Sequence, residues 1–73
     1  MEKWREQFEA YTPDYVIDEI DYYFQKIENG KSDVFTLENA KALVNLAVVS
    51  SRITKEQGKV IKDRINHIKE MYT

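Results

Sequence analysis

Residues 37–49 read LENAKALVNLAVV, and this stretch decides the fold. At about 100° per residue, its apolar side chains cover more than half of the circumference of a helix. Only Glu38, Lys41 and Asn45 form a polar strip, and Asn39 stands alone within the apolar arc. An ordinary surface helix buries one stripe, so we expect neighbouring segments to cover this helix on most of its sides.

Aromatic residues near the N-terminus recur at helical spacing. Trp4, Phe8 and Tyr11 are separated by charged and polar residues. This spacing predicts a short amphipathic helix of about ten residues. Because so short a helix is marginal in isolation, we expect its aromatic side chains to dock on the core. The alternative is an exposed aromatic hook that a partner captures.

The next helix is predicted between a proline and a glycine. Thr12 is expected as its N-cap, Pro13 as its first residue, and Asn29-Gly30 predicts its end near Glu28. One face is apolar and comprises Val16, Ile17, Ile20, Tyr23, Phe24 and Ile27. The opposite face, which we call the acidic stripe, comprises Asp14, Asp18, Asp21, Gln25 and Glu28.

Capping patterns flank the central helix. Thr36 is expected to cap its start, with Phe35 packed against the following turn. Residues 54–57, TKEQ, form a capping-box pattern, which predicts a last helix from Lys55 to about Met71. Its apolar face comprises Val60, Ile61, Ile65, Ile68 and Tyr72. Its outward face, which we call the basic stripe, comprises Lys55, Lys59, Lys62, Asn66 and Lys69.

These elements predict an all-α fold. We expect a small antiparallel helical bundle, with a short N-terminal helix and three longer helices in a single domain spanning 1–73. No strand is expected, because apolar residues recur at helical spacing throughout. Gly58 lowers helix propensity by about 1 kcal/mol relative to alanine. The glycine at this position is explained either by a close approach to another helix or by tolerance of glycine near the start of a helix.

Composition limits how so short a chain is stabilised. A single core of this size supplies about 3 to 5 kcal/mol, and small domains often add a disulfide, a metal or a second subunit. The 73 residues include no cysteine and one histidine, so self-association is the reinforcement that we expect. The charged N-terminus resembles no signal peptide, and no apolar run approaches about 20 residues. We therefore expect a soluble cytoplasmic protein that does not associate with membranes.

No pattern indicates catalysis. His67 is the sole histidine, and no elbow motif places a serine beside it. Asp63, His67 and Glu70 could share a helix face, but they make an incomplete metal site. The two glycines are isolated and form no phosphate loop. The sequence thus predicts no enzyme activity, no metal and no cofactor.

The distribution of charge and the positions of two tyrosines indicate candidate interaction surfaces instead. Residues 1–49 carry five Lys or Arg against ten Asp or Glu, and residues 50–73 carry six against three. Because each stripe lies opposite the apolar face of its own helix, we expect the stripes to point outward. The two stripes then cannot readily pair with each other within one molecule. We expect the acidic stripe to pair with the basic stripe of another copy, or of a partner with similar patterning. Tyr15 and Tyr22 flank the acidic stripe, where either a partner or the first helix covers them.

The sequence therefore predicts a small non-enzymatic protein–protein interaction module, a regulator or adaptor that binds another protein and a second copy of itself. The candidate contact residues are Tyr15, Asp18, Asp21, Tyr22, Lys55, Lys59 and Lys62. The leading alternative is a nucleic-acid-associated regulator that uses the basic C-terminal helix. A net charge of −2, and lysines where base reading favours arginine or asparagine, weaken that alternative. A further alternative is an acidic decoy that imitates the phosphates of a nucleic acid.

Overall fold

A computed structural model describes the backbone of residues 2–31 and 35–72 and the side chains of residues 4–31 and 35–71. The chain forms a 3-10 helix, Glu2–Gln7, and three α-helices: α1 (Asp14–Glu28), α2 (Phe35–Val49) and α3 (Lys55–Tyr72). No strand occurs in the described ranges. The predicted all-α bundle is confirmed, and α2 lies at its centre because it packs against both α1 and α3.

The N-terminal segment is shorter and tighter than predicted. Glu2–Gln7 is a 3-10 helix of six residues, not an amphipathic α-helix. So few residues do not sustain an α-helix, and aromatic packing holds the segment instead. Trp4 stacks on Phe24 with ring centroids 5.1 Å apart and meets Phe8 edge-on. Trp4 and Phe8 are only 7% and 9% exposed, so the expected docking on the core is confirmed.

Thr12 is not the N-cap of α1, as the sequence predicted. Pro13 occupies the cap position, without a side-chain hydrogen bond, and the helix begins at Asp14. The Thr12 N–H donates to the Glu9 carbonyl at 3.0 Å, so Thr12 belongs to the preceding turn. Its side chain is buried, and Oγ1 has no hydrogen-bond partner among the described residues.

Removing this buried hydroxyl is expected to stabilise the chain. Thr12→Val keeps the shape of the side chain and removes an unpaired polar group, whose burial costs roughly 1 kcal/mol. The midpoint of urea unfolding should therefore rise. Thr36→Val is the matched control, because Thr36 is also buried but its Oγ1 accepts a hydrogen bond from Lys26 Nζ at 3.3 Å. That variant should unfold at lower urea, and a similar shift of both variants would contradict the prediction.

The predicted cap at the start of α2 is wrong as well. α2 begins at Phe35, so Thr36 lies inside the first turn, where it is buried. Phe35 is 75% exposed. The preceding residues 32–34 lie outside the described part of the chain.

The helices α1 and α2 end in the same backbone motif. At the end of α1, Gly30 has φ 76° and its N–H donates to the Ile27 carbonyl at 2.9 Å. The predicted glycine stop is thus confirmed. At the end of α2, Ser51 takes the same position, with φ 63° and an N–H that donates to the Val48 carbonyl at 3.0 Å. A residue with a Cβ is strained in this left-handed conformation by roughly 1 kcal/mol.

Ser51→Gly is therefore expected to raise stability by roughly 1 kcal/mol, because glycine adopts positive φ without that strain. Thermal unfolding followed by circular dichroism measures the effect. Ser50→Gly is the neighbouring control. The Ser50 hydroxyl donates to the Ala47 carbonyl at 3.3 Å, so its removal should not stabilise the helix end. Equal gains in both variants would show that the position of the glycine does not matter.

The core lies between α2 and the elements on either side of it. Its buried apolar side chains on the helices are Val16, Ile20, Tyr23, Phe24, Leu37, Ala40, Val44, Ala47, Ile61, Ile65 and Ile68. The expectation that α2 is covered on most sides is wrong on one side, where Leu46 and Val49 are 59% and 81% exposed. Two neighbouring helices are too few to cover the whole circumference of α2.

The start of α3 follows the sequence prediction. The Gln57 N–H donates to Thr54 Oγ1 at 3.1 Å and the Thr54 N–H donates to Gln57 Oε1 at 2.9 Å, which completes the capping box. Gly58 then faces α2, and a Cβ added there would lie 2.6 Å from Val48 Cγ2. A close approach of α2 and α3 is therefore the reason for this glycine.

The apolar face of α3 is narrower than predicted. Ile61, Ile65 and Ile68 are buried, but Val60 is 37% exposed because it lies about 100° around the helix from Ile61. The predicted position of the Tyr72 side chain lies outside the described residues.

Candidate interaction surface

A stripe of four apolar residues and one asparagine runs along the outward face of α2. Its members, alternately four and three residues apart, are Phe35, Asn39, Ala42, Leu46 and Val49, and we call them the α2 seam. All five are exposed, and their spacing places them along one line of the helix. Sequence reasoning missed the seam because it assigned Ala42, Leu46 and Val49 to an arc that neighbours cover. The alternating spacing was the signal that could have found it.

Three predicted contact residues lie on α1, which packs beside α2, and we call them the α1 border. Tyr15, Asp18 and Tyr22 share one face of α1, because they are three and four residues apart. Tyr15 is half-buried and lines a shallow groove with Leu46 of the seam. Tyr22 is 50% exposed, and the Asp18 carboxylate makes no ion pair with any described side chain.

Cations hold both tyrosine rings of the α1 border. The Arg52 guanidinium lies over the Tyr15 ring at 5.9 Å from its centroid, and Lys26 Nζ lies over the Tyr22 ring at 4.5 Å. Contacts of this kind contribute roughly 0.5 to 1 kcal/mol at exposed sites. They restrict the rings, so less side-chain entropy would be lost when a partner covers them.

Asp21, the remaining candidate on α1, lies toward the N-terminal segment. One of its carboxylate oxygens is 3.2 Å from Arg5 Nη2, and the other accepts a hydrogen bond from Gln25 Nε2 at 2.8 Å. Asp21 is therefore engaged within the molecule, on a different side of α1 from Tyr15 and Tyr22. The acidic stripe is not a uniform row of unpaired carboxylates.

Part of the basic stripe pairs with α2 in the same molecule. Three contacts, which we call the polar ladder, join Lys62 Nζ to Asn45 Oδ1 at 2.9 Å, Lys41 Nζ to Asn66 Oδ1 at 3.0 Å and Lys69 Nζ to Glu38 Oε1 at 3.0 Å. The expectation that the basic stripe points outward is therefore wrong for Lys62 and Lys69, whose partners lie on α2 and not on the acidic stripe. The polar strip of α2 and the stripe on α3 have matching spacing and run antiparallel, so long lysine side chains reach across.

The N-terminal part of the basic stripe stays open. Lys55 and Lys59 are exposed, and neither makes an ion pair within the described part of the chain. Lys59 and Lys62 line a groove that also contains Ala42 of the seam. We call Lys55, Lys59 and Lys62 the α3 border, because they follow the seam on the side opposite the α1 border.

The polar ladder perturbs one titratable group. The hydrogen bond from Lys69, followed by that from Lys41, lowers the pKa of Glu38 below its ordinary value. Lys69 Nζ and Lys41 Nζ lie 3.0 and 3.1 Å from its carboxylate oxygens. The ionised form of Glu38 is thus favoured in the folded chain.

This shift predicts a contribution to stability that depends on pH. Since the unfolded chain binds the proton of Glu38 at higher pH than the folded chain, the contribution is complete above the ordinary glutamate pKa of about 4.3. It is lost as the pH falls through the lowered folded value. In the Glu38→Gln variant, the free energy of unfolding, measured with urea, should fall less steeply as the pH is lowered below about 4.3. Glu70→Gln, at an exposed position outside the ladder, should leave this pH dependence unchanged, and an equal change in both variants would contradict the assignment.

The surface around His67 was a candidate metal site. His67 is exposed on α3 and lines a shallow groove with Val60, Asp63 and Arg64, all of them on the same helix. Within the described residues, no group of three His, Asp or Glu side chains is placed to hold a metal ion. The Asp63, His67 and Glu70 arrangement weighed from the sequence does not form such a group.

In the described part of the chain, no helix combines the length and apolar character that crossing a lipid bilayer requires. Comparison of the sequence with protein-family models, and of the chain with curated proteins and solved structures, finds no match.

Proposed function

We propose that this chain is a small non-enzymatic protein–protein interaction module, a regulator or adaptor that binds a helix of its partner through the α2 seam. The observation that carries this function is the exposure of Leu46 and Val49, at 59% and 81%, on one face of a helix whose opposite face forms the core. Contiguous apolar side chains on a soluble surface are typical of binding sites. An apolar line at helical spacing favours a helical partner.

The surroundings of the seam favour the same function. Interfaces commonly combine an apolar centre with a polar rim that contains tyrosines. Tyr15 borders Leu46 on the α1 side, with Tyr22 two turns farther along the same face of α1, and Lys59 and Lys62 border Ala42 on the α3 side. The partner expected from this chemistry is a helix with an apolar stripe, basic residues toward the α1 border and acidic residues toward the α3 border.

Nucleic-acid binding has weaker support. Affinity for a phosphate backbone grows with the number of lysines and arginines that contact it. Lys62 and Lys69 already donate to α2, so fewer lysines of the basic stripe remain to follow the phosphates. The decoy alternative is weakened in the same way, because Arg5 occupies Asp21.

Site-specific photo-crosslinking in the native cell tests this function. A photoreactive residue at Val49, on the seam, should yield an adduct with one defined protein, identified by its mass. The same residue at Glu56, exposed on α3, should not. Leu46→Lys should abolish the Val49 adduct, because a lysine ammonium buried in the apolar centre of an interface loses its hydration and gains no partner. No adduct at Val49, or equal adducts at both positions, would refute the proposed function.

A further inference from the structure

We infer that the partner of the α2 seam is a second copy of this chain, and that the two copies associate in parallel with α2 packed against α2. This inference rests on the proposed function and names its partner. Three observations carry it: the spacing of the seam, the position of its one polar residue, and the opposite charges of its two borders.

The spacing of the seam is that of a coiled-coil interface. Residues alternately four and three apart repeat as positions d and a of a heptad, and they pack against the same positions of a partner helix. Phe35, Ala42 and Val49 take the d positions, and Asn39 and Leu46 take the a positions. The same five positions of a second copy can therefore pack against the seam while the backbone of α2 stays as it is.

Asn39 favours the parallel orientation. A single asparagine at an a position fixes register in parallel pairs, because the two amides meet and can hydrogen-bond to each other. In an antiparallel pair, a positions face d positions, so Asn39 would face apolar side chains and its amide would lose its partner. Only the parallel pair gives this residue a complementary neighbour.

The borders favour the same orientation. A two-fold axis along α2 places the α1 border of one copy opposite the α3 border of the other, whereas an antiparallel pair places like borders together. In the α1 border, Lys26 and Arg52 lie over the tyrosine rings, and Asp18 is the exposed acidic residue. In the α3 border, Lys55 and Lys59 are basic and exposed. The parallel arrangement therefore brings opposite charges together at the rim, and the antiparallel arrangement opposes like charges.

The charges also match in height along the helices. α1 and α3 both run antiparallel to α2, since Tyr15 lies beside Leu46 and Lys62 donates to Asn45. The N-terminal halves of α1 and α3 are thus level with the C-terminal half of α2. In the parallel pair, Asp18 of one copy and Lys59 of the other therefore lie in the same half of the interface.

Pairing through the seam would cover only part of the surface of each copy. A standard interface covers about 800 Å² on each partner, and the chain exposes 4906 Å² in all. An interface of that size would cover roughly one sixth of each copy. Exposed Leu46 and Val49 would become buried.

Sedimentation equilibrium of the purified full chain tests the pairing. Wild-type chain should sediment as a dimer at high protein concentration. Leu46→Lys should raise the dissociation constant at least about tenfold, which corresponds to 1.4 kcal/mol. Val60→Lys introduces the same charge at an exposed apolar position of α3 outside the seam, and should leave the dissociation constant unchanged. Circular dichroism must show the same helix content in all three proteins.

Introduced cysteines test the orientation without interference, because the chain has none of its own. Val49→Cys and Phe35→Cys should each form a disulfide dimer with itself. Positions 35 and 49 lie about 21 Å apart along α2, too far for a mixed disulfide in a parallel pair. An antiparallel pair puts identical positions toward opposite ends of the interface, so a chain that sediments as a dimer while neither variant forms a disulfide with itself would overturn the parallel arrangement.

A charge exchange tests the borders. Asp18→Lys alone should weaken the parallel dimer by about tenfold at low salt, because two lysines then face each other at both edges, and by less at high salt. Adding Lys59→Asp to the same chain should restore the dimer. No effect of the single change, or no recovery in the double variant, would contradict the assigned borders.

Failure of this inference differs from failure of the proposed function. A wild-type chain that stays monomeric at every concentration and salt overturns the pairing. If the Val49 photo-adduct then contains a different protein, the interaction module stands with another partner. If Val49 gives no adduct, both are refuted.

Discussion

Gly58→Ala is expected to destabilise the chain by about 1 to 2 kcal/mol, even though alanine is the better helix former. Helix propensity alone would favour alanine by about 1 kcal/mol. The added Cβ would lie 2.6 Å from Val48 Cγ2 and 3.6 Å from Val44 Cγ1, so α2 and α3 would have to separate. Val48 is β-branched and cannot turn away freely. Overpacking of this kind costs roughly 1 to 3 kcal/mol, a large part of the stability of so small a domain.

The control for this prediction is a second change that removes the obstructing atom. In a Val48→Ala background, Cγ2 is absent, and Gly58→Ala should become neutral or stabilising. The free energy of unfolding of the four proteins, measured with urea, gives the coupling between the two positions. The same effect of Gly58→Ala in both backgrounds would show that the close approach of the helices does not determine the residue.

Trp4→Ala is expected to cost roughly 3 kcal/mol and to leave the fold only marginally stable, because the whole domain has only about 3 to 5 kcal/mol to lose. Trp4 is 7% exposed and stacks on Phe24, so truncation leaves a cavity over α1 and removes the anchor of the 3-10 helix. Circular dichroism during urea unfolding measures the loss. Fluorescence is unsuitable for the variant, since Trp4 is the sole tryptophan.

Trp4→Phe provides the matched control. A phenyl ring keeps a stacking partner for Phe24 and fills most of the space, so we expect a loss of about 1 kcal/mol. An unchanged midpoint for Trp4→Ala would mean that docking of the N-terminal segment contributes nothing to stability.

The features that could be predicted from sequence are those that depend on neighbouring residues. The glycine stop at Gly30 and the capping box of Thr54 and Gln57 are local hydrogen-bond patterns, and both occur as predicted. The 3-10 form of the N-terminal segment was not predictable, because it depends on the contact of Trp4 with Phe24, a residue distant in sequence. Thr12 failed as a cap although its contacts are local, because Pro13 takes the cap position and Thr12 belongs to the preceding turn, where its N–H donates to the Glu9 carbonyl.

The candidate surface was only partly predictable. The sequence placed Tyr15, Asp18, Asp21 and Tyr22 together on one face of α1. Tyr15 lines a groove with Leu46 of the seam, whereas Asp21 pairs with Arg5 on another side of the helix. Periodicity alone could not tell that Leu46 stays exposed, because apolar character predicts burial but not how many neighbours are present to provide it. It also could not predict which lysines of α3 reach α2, since a long flexible side chain finds its partner only after the helices have packed.

The connection between α2 and α3 has a consequence for how the chain folds. Its two ends are each fixed by local hydrogen bonds, at Ser51 on one side and at Thr54 on the other. Closing so short a loop costs little chain entropy, so the α2–α3 hairpin is the nucleus that we expect in the folding transition state. Its side-chain contacts, including Val48 with Gly58, would then carry high φ-values. The aromatic anchor at Trp4 would dock after the rate-limiting barrier and influence mainly the unfolding rate.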